Sequence, residues 1–318
     1  MGFNAPTQHQ ALVDLGRYLK AVGYRFQAPT PATHALVNAR PENTAAKSLI
    51  DVFGWSRPFA RDVMPAKVLS LLETAGALET RDGLARSLVR FSSLGELLFA
   101  HSAFPTAKND AVFFGPDTYR FCRLLCQKLD EAPSPRTIVD IGCGSGAGGI
   151  FAHAQLSDRG QIGLILGDVN ENALRVARAN AGLNDVPTAR IVKSDVLAAI
   201  PGHADLIIAN PPYLCDPARR LYRLGGERGF ELSQRIVEES IPQLNAGGRL
   251  VLYTGTPVVN AVDQFFTSIE PYLRRFANRF TYEEIDPDVF GEELSSPAYA
   301  GVDRIAVVAL TVYGGVIR

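Results

Sequence analysis

The residues of this chain whose types and spacing could do chemistry are Asn210-Pro211-Pro212-Tyr213. An asparagine amide both donates and accepts hydrogen bonds, and an aromatic ring stacks on a flat group. The run before it, Ala204-Asp205-Leu206-Ile207-Ile208-Ala209, is short, apolar and β-branched, the pattern of a parallel strand covered on both faces. Two prolines then end the ladder, because neither has an N–H to donate. Asn210 is thereby expected at the carboxyl end of a strand, the edge at which open α/β sheets bind ligands. Taken alone, the tetrapeptide has two readings: a rigid grip for a planar NH2 group, or a proline-rich turn with a capping asparagine.

Other strand ends supply groups for the same edge. Val139-Asp140-Ile141-Gly142-Cys143-Gly144-Ser145-Gly146 reads as a strand entering a glycine loop. Such a loop turns tightly and lets a ligand approach backbone without Cβ atoms, while the next helix offers free N–H donors. Gly144-Ser145-Gly146-Ala147-Gly148-Gly149 also fits the dinucleotide pattern G-x-G-x-x-G, which keeps NAD in view. Asp168 ends a second strand, where a carboxylate can accept both hydroxyls of a ribose, a group shared by NAD and S-adenosylmethionine. Asp195 ends a third and suits an adenine amino group, with Val169 and Val196 as apolar contacts for the ring. Each aspartate alone also reads as a turn or helix cap. An NAD-dependent oxidoreductase explains the loop and Asp168 but leaves Asp195 and residues 210–213 without a role. A binding module that keeps the fold without catalysis is a further reading, which a cofactor titration would separate from an enzyme.

The elements that must position these groups follow from the apolar pattern. From about residue 116 helix and strand alternate. Strands are expected over 137–143, 162–169, 189–196, 204–209, 249–254, 278–286 and 304–312, with helices over 116–129, 148–155, 171–181, 231–244 and near 258–271. This alternation predicts a doubly wound, mostly parallel α/β sheet of seven strands. Residues 1–110 read as a smaller, mainly helical accessory domain that helps select the substrate, and residues 111–318 as the catalytic one. In the first part Thr7 is placed as the cap of a helix over 8–22, Pro41-Glu42 opens a helix toward Trp55, and Pro65 opens a third. A hairpin turning at Arg81-Asp82-Gly83, with its return strand over 86–91, gives the part a winged-helix character.

Composition narrows the classes. The chain has 318 residues, 47% of them apolar and 20% charged, and a net charge of −1. That length favours two domains over a single core. The first 110 residues carry 12 basic and 9 acidic side chains, far from the dense basic stripe of a duplex binder. No apolar run approaches the ~20 residues that span a bilayer, and the N-terminus lacks a signal pattern, so no membrane partner and a cytoplasmic location are expected. Four cysteines make no disulfide framework. Cys122 and Cys126, four apart on a helix, read as buried core thiols. Five scattered histidines show no ligand spacing, and no metal site is expected.

Residues 140–146, Asp168, Asp195 and Asn210-Pro211-Pro212-Tyr213 together resemble the motif series of class I S-adenosylmethionine-dependent methyltransferases. Within that class the chain resembles the small-domain N-methyltransferases with an Asn-Pro-Pro-Tyr motif, especially the HemK-like glutamine methyltransferases of peptide release factors. Phe114-Gly115-Pro116-Asp117-Thr118 is similar to the Pro-Arg-Pro-Asp/Glu-Thr stretch before their first strand, and Gly225-Gly226-Glu227-Arg228-Gly229-Phe230 to their Gly-Gly-x-x-Gly-Leu segment. The resemblance covers about residues 112–312. Two departures stand out: Phe114-Gly115 replaces the Pro-Arg pair, and the usual Glu-Pro is absent between Tyr213 and Gly225.

The resemblance implies a Rossmann-like fold, S-adenosylmethionine as cofactor, and N-methylation of a planar amide or amine. Thr118, Asp140, Gly142, Cys143, Gly144, Gly146, Asp168, Val169, Asp195, Val196 and Asn210 would contact the cofactor. Asn210, Pro211 and Tyr213 would be catalytic, and Pro212, Tyr213, Arg219 and Arg220 would meet substrate. The implied acceptor is a glutamine on a release-factor-like protein. The alternative is an adenine or guanine amine of RNA or DNA, for which Arg219, Arg220, Arg223 and Arg228 could contact phosphates.

Overall fold

The computed structural model describes residues 6–129 and 135–314, and its contacts divide the chain into two compact units. The first comprises residues up to Arg120 together with Gly144–Ala147 and Asn172–Pro187. Its helix α1 (Pro6–Ala21) buries Leu12, Leu15 and Leu19 along one stripe. Proline fits the first turn of a helix because its missing N–H is not needed there. The helix therefore opens at Pro6, and Thr7 lies inside the first turn rather than capping it.

Helix α2 (Pro31–Asn38) is an addition to the sequence reading. Thr30 caps it, accepting a hydrogen bond from the Thr33 N–H at 3.1 Å, and Pro31 occupies its first position. The helix expected from Pro41 shrinks to a single 3₁₀ turn over Pro41–Asn43. The Ser48 hydroxyl then caps a separate short helix, α3 (Leu49–Phe53), at the Asp51 N–H. Pro65 stands at the cap position of α4 (Ala66–Thr74), whose Val68 and Leu72 are buried.

Two hairpins follow in place of the one expected: β1 (Leu78–Arg81) with β2 (Leu84–Ser87), and β3 (Val89–Leu94) with β4 (Leu97–Ser102). The expected strand over 86–91 is interrupted at Leu88. There the Ser87 hydroxyl accepts from the Val89 N–H and donates to the Val89 carbonyl, bending the chain while the Leu88 N–H bonds the Ala77 carbonyl. Helix α5 (Pro116–Leu129) carries both cysteines at helical spacing, but only Cys122 is buried; Cys126 is exposed, which corrects the expectation of two core thiols.

The second unit holds the α/β sheet. From there the elements in chain order are β5 (Thr137–Ile141), α6 (Ala147–Leu156), β6 (Gly163–Asp168), α7 (Glu171–Leu183), which from Asn172 on is grouped with the first unit, β7 (Arg190–Lys193), β8 (Ala204–Ala209), α8 (Glu231–Ser240), β9 (Leu244–Val259), the two-residue β10 (Val262–Asp263), α9 (Gln264–Phe276), β11 (Arg279–Asp286) and β12 (Arg304–Tyr313). Spatial order along the sheet is β11-β12-β9-β8-β5-β6-β7, with β10 paired to β9 alone. From β7 to β9 the ladders are parallel, and β12 pairs antiparallel with both neighbours. The fold is thus a doubly wound, mostly parallel α/β sheet of the Rossmann-like kind. Chain order reverses between β5 and β8, which makes their carboxyl ends the switch point of the sheet.

Element ends shift where a specific residue intervenes. Helix α8 stops at Ser240, short of the expected 244: Pro242 has no N–H to continue the helical ladder, and the chain passes into a 3₁₀ turn over Ile241–Gln243. Strand β9 runs on to Val259, and α9 begins only after Asp263 accepts from the Phe266 N–H at 2.8 Å.

Strand alternation divides the core. Val139, Ile141, Ile207, Ala209, Leu250 and Leu252 face α8 and α9, meeting Ile236, Val237, Phe265, Ile269 and Leu273. Burying one such side chain contributes about 1.5–3 kcal/mol. On the other face Phe121 of α5 lies 6.1 Å from Tyr253. Helix α6 comes close to the strands there because Gly149 has no side chain: a Cβ would stand 2.5 Å from Leu166 and 3.0 Å from Leu164. Gly149→Ala is expected to cost about 1–3 kcal/mol by overpacking, read from the urea midpoint. Gly163→Ala, whose Cβ would meet nothing nearer than 3.6 Å, serves as the control without such a loss.

Candidate active site

Beyond β5 the backbone of the loop is left-handed at Gly142, Gly144 and Gly146, with φ of 63°, 54° and 78°. A Cβ at Gly142 or Gly144 would meet no atom within 4 Å, so backbone conformation rather than crowding requires glycine there. The Cys143 N–H donates to the Gly167 carbonyl at 3.0 Å and ties the loop to the end of β6. The Cys143 side chain is buried, and burial pushes its thiol well up.

Asp140 is 2% exposed and turns Oδ2 to the Gly149 N–H of α6 at 2.8 Å. Burial raises its carboxyl to about 7, the Gly149 N–H opposes the rise, and the Asp168 carboxylate adds to it. One oxygen of this expected cofactor ligand is therefore committed to the protein, joining strand, loop and helix.

Asp168, at the end of β6, accepts from the Asn170 N–H at 2.8 Å, and its own carbonyl accepts from the Ser194 N–H at 3.0 Å. Val169 follows it, 46% exposed, an apolar surface beside the carboxylate. Val196 is buried with φ 49°, a costly conformation for a β-branched residue. The Ser194 hydroxyl holds that turn, donating to the Val196 carbonyl at 3.0 Å and accepting from the Ala199 N–H at 3.0 Å. Asp195 is paired through both oxygens with Arg235, at 3.2 Å each, on an exposed surface where such a pair contributes little to stability. Thr118 belongs to the first unit, where its hydroxyl accepts from the Gly115 N–H at 3.3 Å.

Asn210 follows the last residue of β8 and is half-buried. Tyr213 is 6% exposed, and three glycines define its place. A Cβ at Gly255 of β9 would stand 2.1 Å from the Tyr213 ring. One at Gly225 would stand 2.6 Å from the Pro212 carbonyl oxygen and 2.7 Å from Tyr213 Cα, and one at Gly229 2.8 Å from the Tyr213 carbonyl oxygen. The Gly-Gly-x-x-Gly segment thus wraps the backbone of Pro212 and Tyr213, and β9 supplies a flat floor for the ring. The Leu214 N–H donates to the Arg223 carbonyl and the Gly225 N–H to the Leu214 carbonyl, closing the wrap where strand pairing has ended.

The segment between β11 and β12 adds two residues that sequence reasoning missed. Phe290 has φ 54° and lies edge-on to Tyr213 at 6.0 Å, and the Tyr299 hydroxyl accepts from the Cys215 N–H at 2.9 Å. Gly255, also missed, lies just past the strand expected over 249–254; had β9 been read through to Val259, a glycine inside it would have marked close approach. Phe290 and Tyr299 carried no such signal, since their roles come from tertiary placement.

Three of the loop arginines pair with carboxylates. Arg220 binds Asp216 through two hydrogen bonds, 2.9 Å and 2.5 Å, and holds that carboxyl below its ordinary value. Arg223 pairs with Glu293, and Arg228 with Glu231. Arg220, expected to meet substrate, thus carries an ion pair within the loop. Arg219 is exposed with φ 51°. Among the described residues no cluster of histidine, cysteine and carboxylate side chains could hold a metal, and no helix is long and apolar enough to cross a membrane.

Residues 107–275, more than half of the chain, match the model of the methyltransferase small domain, and the chain belongs to that family. It is 32% identical over 142 residues to ribosomal RNA small subunit methyltransferase C of Cronobacter sakazakii, covering 43% of this chain and 38% of that protein. Identity is 31% over 148 residues with the release factor glutamine methyltransferase of Deinococcus radiodurans, covering 43% and 51%. With the ribosomal protein L11 methyltransferase of Thermoanaerobacter pseudethanolicus it is 35% over 98 residues, covering 30% of each. The chain spans about half or less of the length of these curated relatives.

Asp140 gives the site a pH signature. Its folded carboxyl titrates near 7 against 3.8 for an ordinary aspartate. The stability it confers is complete below about pH 3.8 and is lost as pH rises through 7. Asp140→Asn keeps an oxygen for Gly149 and carries no charge. Its stability relative to the parent is expected to rise between pH 4 and 7, by about 1.4 kcal/mol per pH unit at most, measured by urea unfolding. A difference that stays flat with pH contradicts the assignment.

Proposed function

We propose that this protein is an S-adenosylmethionine-dependent N-methyltransferase acting on the planar NH2 group of an amide. The observation that carries the reading is the glycine cradle around Pro212 and Tyr213, which fixes Asn210 at the carboxyl end of β8 beside the strand that feeds the glycine loop. The chain's residues fit the cofactor. Open space lies before Gly142 and Gly144, Asp168 ends the neighbouring strand, and Val169 offers a half-exposed apolar surface. Asp168 would hold the ribose hydroxyls and Val169 the adenine, with Val196 and Asp195 bounding the ring.

When bound, the cofactor supplies a methyl group already activated on a sulfonium. The protein's task is then alignment, together with stabilisation of positive charge as it grows on the acceptor nitrogen. The Asn210 side-chain oxygen and the Pro211 carbonyl accept the two N–H groups of the acceptor, which favours that charge. The Tyr213 ring, pressed against Gly255, stacks on the flat acceptor and turns its electron-rich face toward the nitrogen. No conventional general base is required.

A glutamine side chain on a protein is the acceptor we infer. Similarity to a release factor glutamine methyltransferase supports it. So does the engagement of Arg220, Arg223 and Arg228 with carboxylates, which removes most of the phosphate grip a nucleic acid would use. A nucleobase amine is the second reading, favoured by exposed Arg219 and by similarity to a ribosomal RNA methyltransferase.

Asn210→Ala is expected to keep cofactor affinity and lose at least about a hundredfold in turnover, the scale of one missing transition-state hydrogen-bonding group. Gly255→Ala, which displaces Tyr213, is expected to behave alike. Asp168→Ala should weaken the cofactor by more than about tenfold. Undiminished transfer by the Asn210 variant would sink the mechanism. Radiolabelled cofactor with cell extract identifies the acceptor: label lost to protease supports the glutamine reading, and label that survives protease but not nuclease overturns it for a nucleobase.

A further inference from the structure

Asn180 on α7 and Asn184, the residue just past its end, treat strand β4 as though they were a neighbouring strand. Asn180 Oδ1 accepts from the Ala100 N–H at 2.8 Å, and its Nδ2 donates to the Ala100 carbonyl at 2.9 Å. Asn184 Oδ1 accepts from the Leu98 N–H at 3.1 Å, and its Nδ2 donates to the Leu98 carbonyl at 2.9 Å. The spacings agree, since four helical residues rise about 6 Å and two strand residues about 6.6 Å. The two amides thus satisfy the edge of β4 that β3 leaves open.

One asparagine does more. Asn180 is fully buried, and its Nδ2 makes a third bond by donating to the Ser145 carbonyl at 2.8 Å. Ser145 sits between Gly144 and Gly146, both left-handed, in the part of the loop with the widest choice of backbone conformations. A donor fixed on helix and strand therefore selects the orientation of that carbonyl. Asn184 has no such bond: its remaining partners are Lys20 and the Asn180 carbonyl.

We infer that Asn180 is a positioning residue for the cofactor loop, holding residues 144–146 in the binding conformation through Ser145. The inference rests on the reading of that loop as the S-adenosylmethionine site. Titration calorimetry with S-adenosylmethionine on the full chain tests it, using Asn184→Ala as a control that loses the same strand pairing without touching the loop. Asn180→Ala is expected to raise Kd about tenfold, the scale of one buried hydrogen bond, while Asn184→Ala stays within about twofold of the parent. If Asn180→Ala does not fold, Asn180→Asp takes its place, since it keeps an acceptor for Ala100 and an ionised carboxylate has no donor for Ser145. Equal shifts in the Asn180 and Asn184 variants, with Asp168→Ala still losing the cofactor, would overturn the positioning role alone. An unchanged Kd in Asp168→Ala would overturn the site reading and this inference with it.

Discussion

Neither Pro211 nor Pro212 has an N–H to give, so the parallel ladder through β8 ends at Ala209 and the chain must leave the sheet there. Everything distinctive about the site follows from how the next residues are then held. The Gly225–Gly229 segment closes on the backbone of Pro212 and Tyr213, and Gly255 gives the Tyr213 ring a floor. Any Cβ at these three positions would stand within van der Waals contact of the tetrapeptide or of the wrap itself. The cost is glycine's conformational entropy at several positions, and the return is an asparagine with little freedom at the switch point of the sheet.

Charge is arranged around the same edge with similar economy. Asp140 and Asp168 lie at the ends of neighbouring strands, and burial, with a smaller contribution from the Asp168 carboxylate, raises the Asp140 carboxyl to about 7. The Gly149 N–H and the Asn170 N–H each satisfy one oxygen, so both side chains are oriented before any ligand arrives. Of the arginines after Tyr213, Arg220 and Arg223 turn to Asp216 and Glu293, while Arg228 pairs with Glu231 at the surface and Arg219 stands exposed.

How much of this was legible in the sequence depended on whether a feature was local. Strand β8 could be placed to the residue, because a buried parallel strand is a continuous apolar run and prolines bound it. The α/β order from residue 137 onward was legible for the same reason. In the first unit α2 and α3 have only eight and five residues, too few to establish a helical period, and the second hairpin was hidden by the Ser87 turn. The wrap around Tyr213 was visible as glycines without a reason, since the reason lies in backbone brought from elsewhere in the chain. The ion pair of Arg223 with Glu293 spans 70 positions, and no local pattern announces it.

The central claim is that these strand ends hold one S-adenosyl group with its methyl directed at Asn210. A crystal structure of the complex with S-adenosylmethionine tests it most directly. The account predicts ribose hydroxyls on Asp168, adenine against Val169, and the sulfonium methyl facing the Asn210 side chain. A cofactor bound away from Asp168 and Asn210, or a glycine loop that takes NADH in its place, would contradict it.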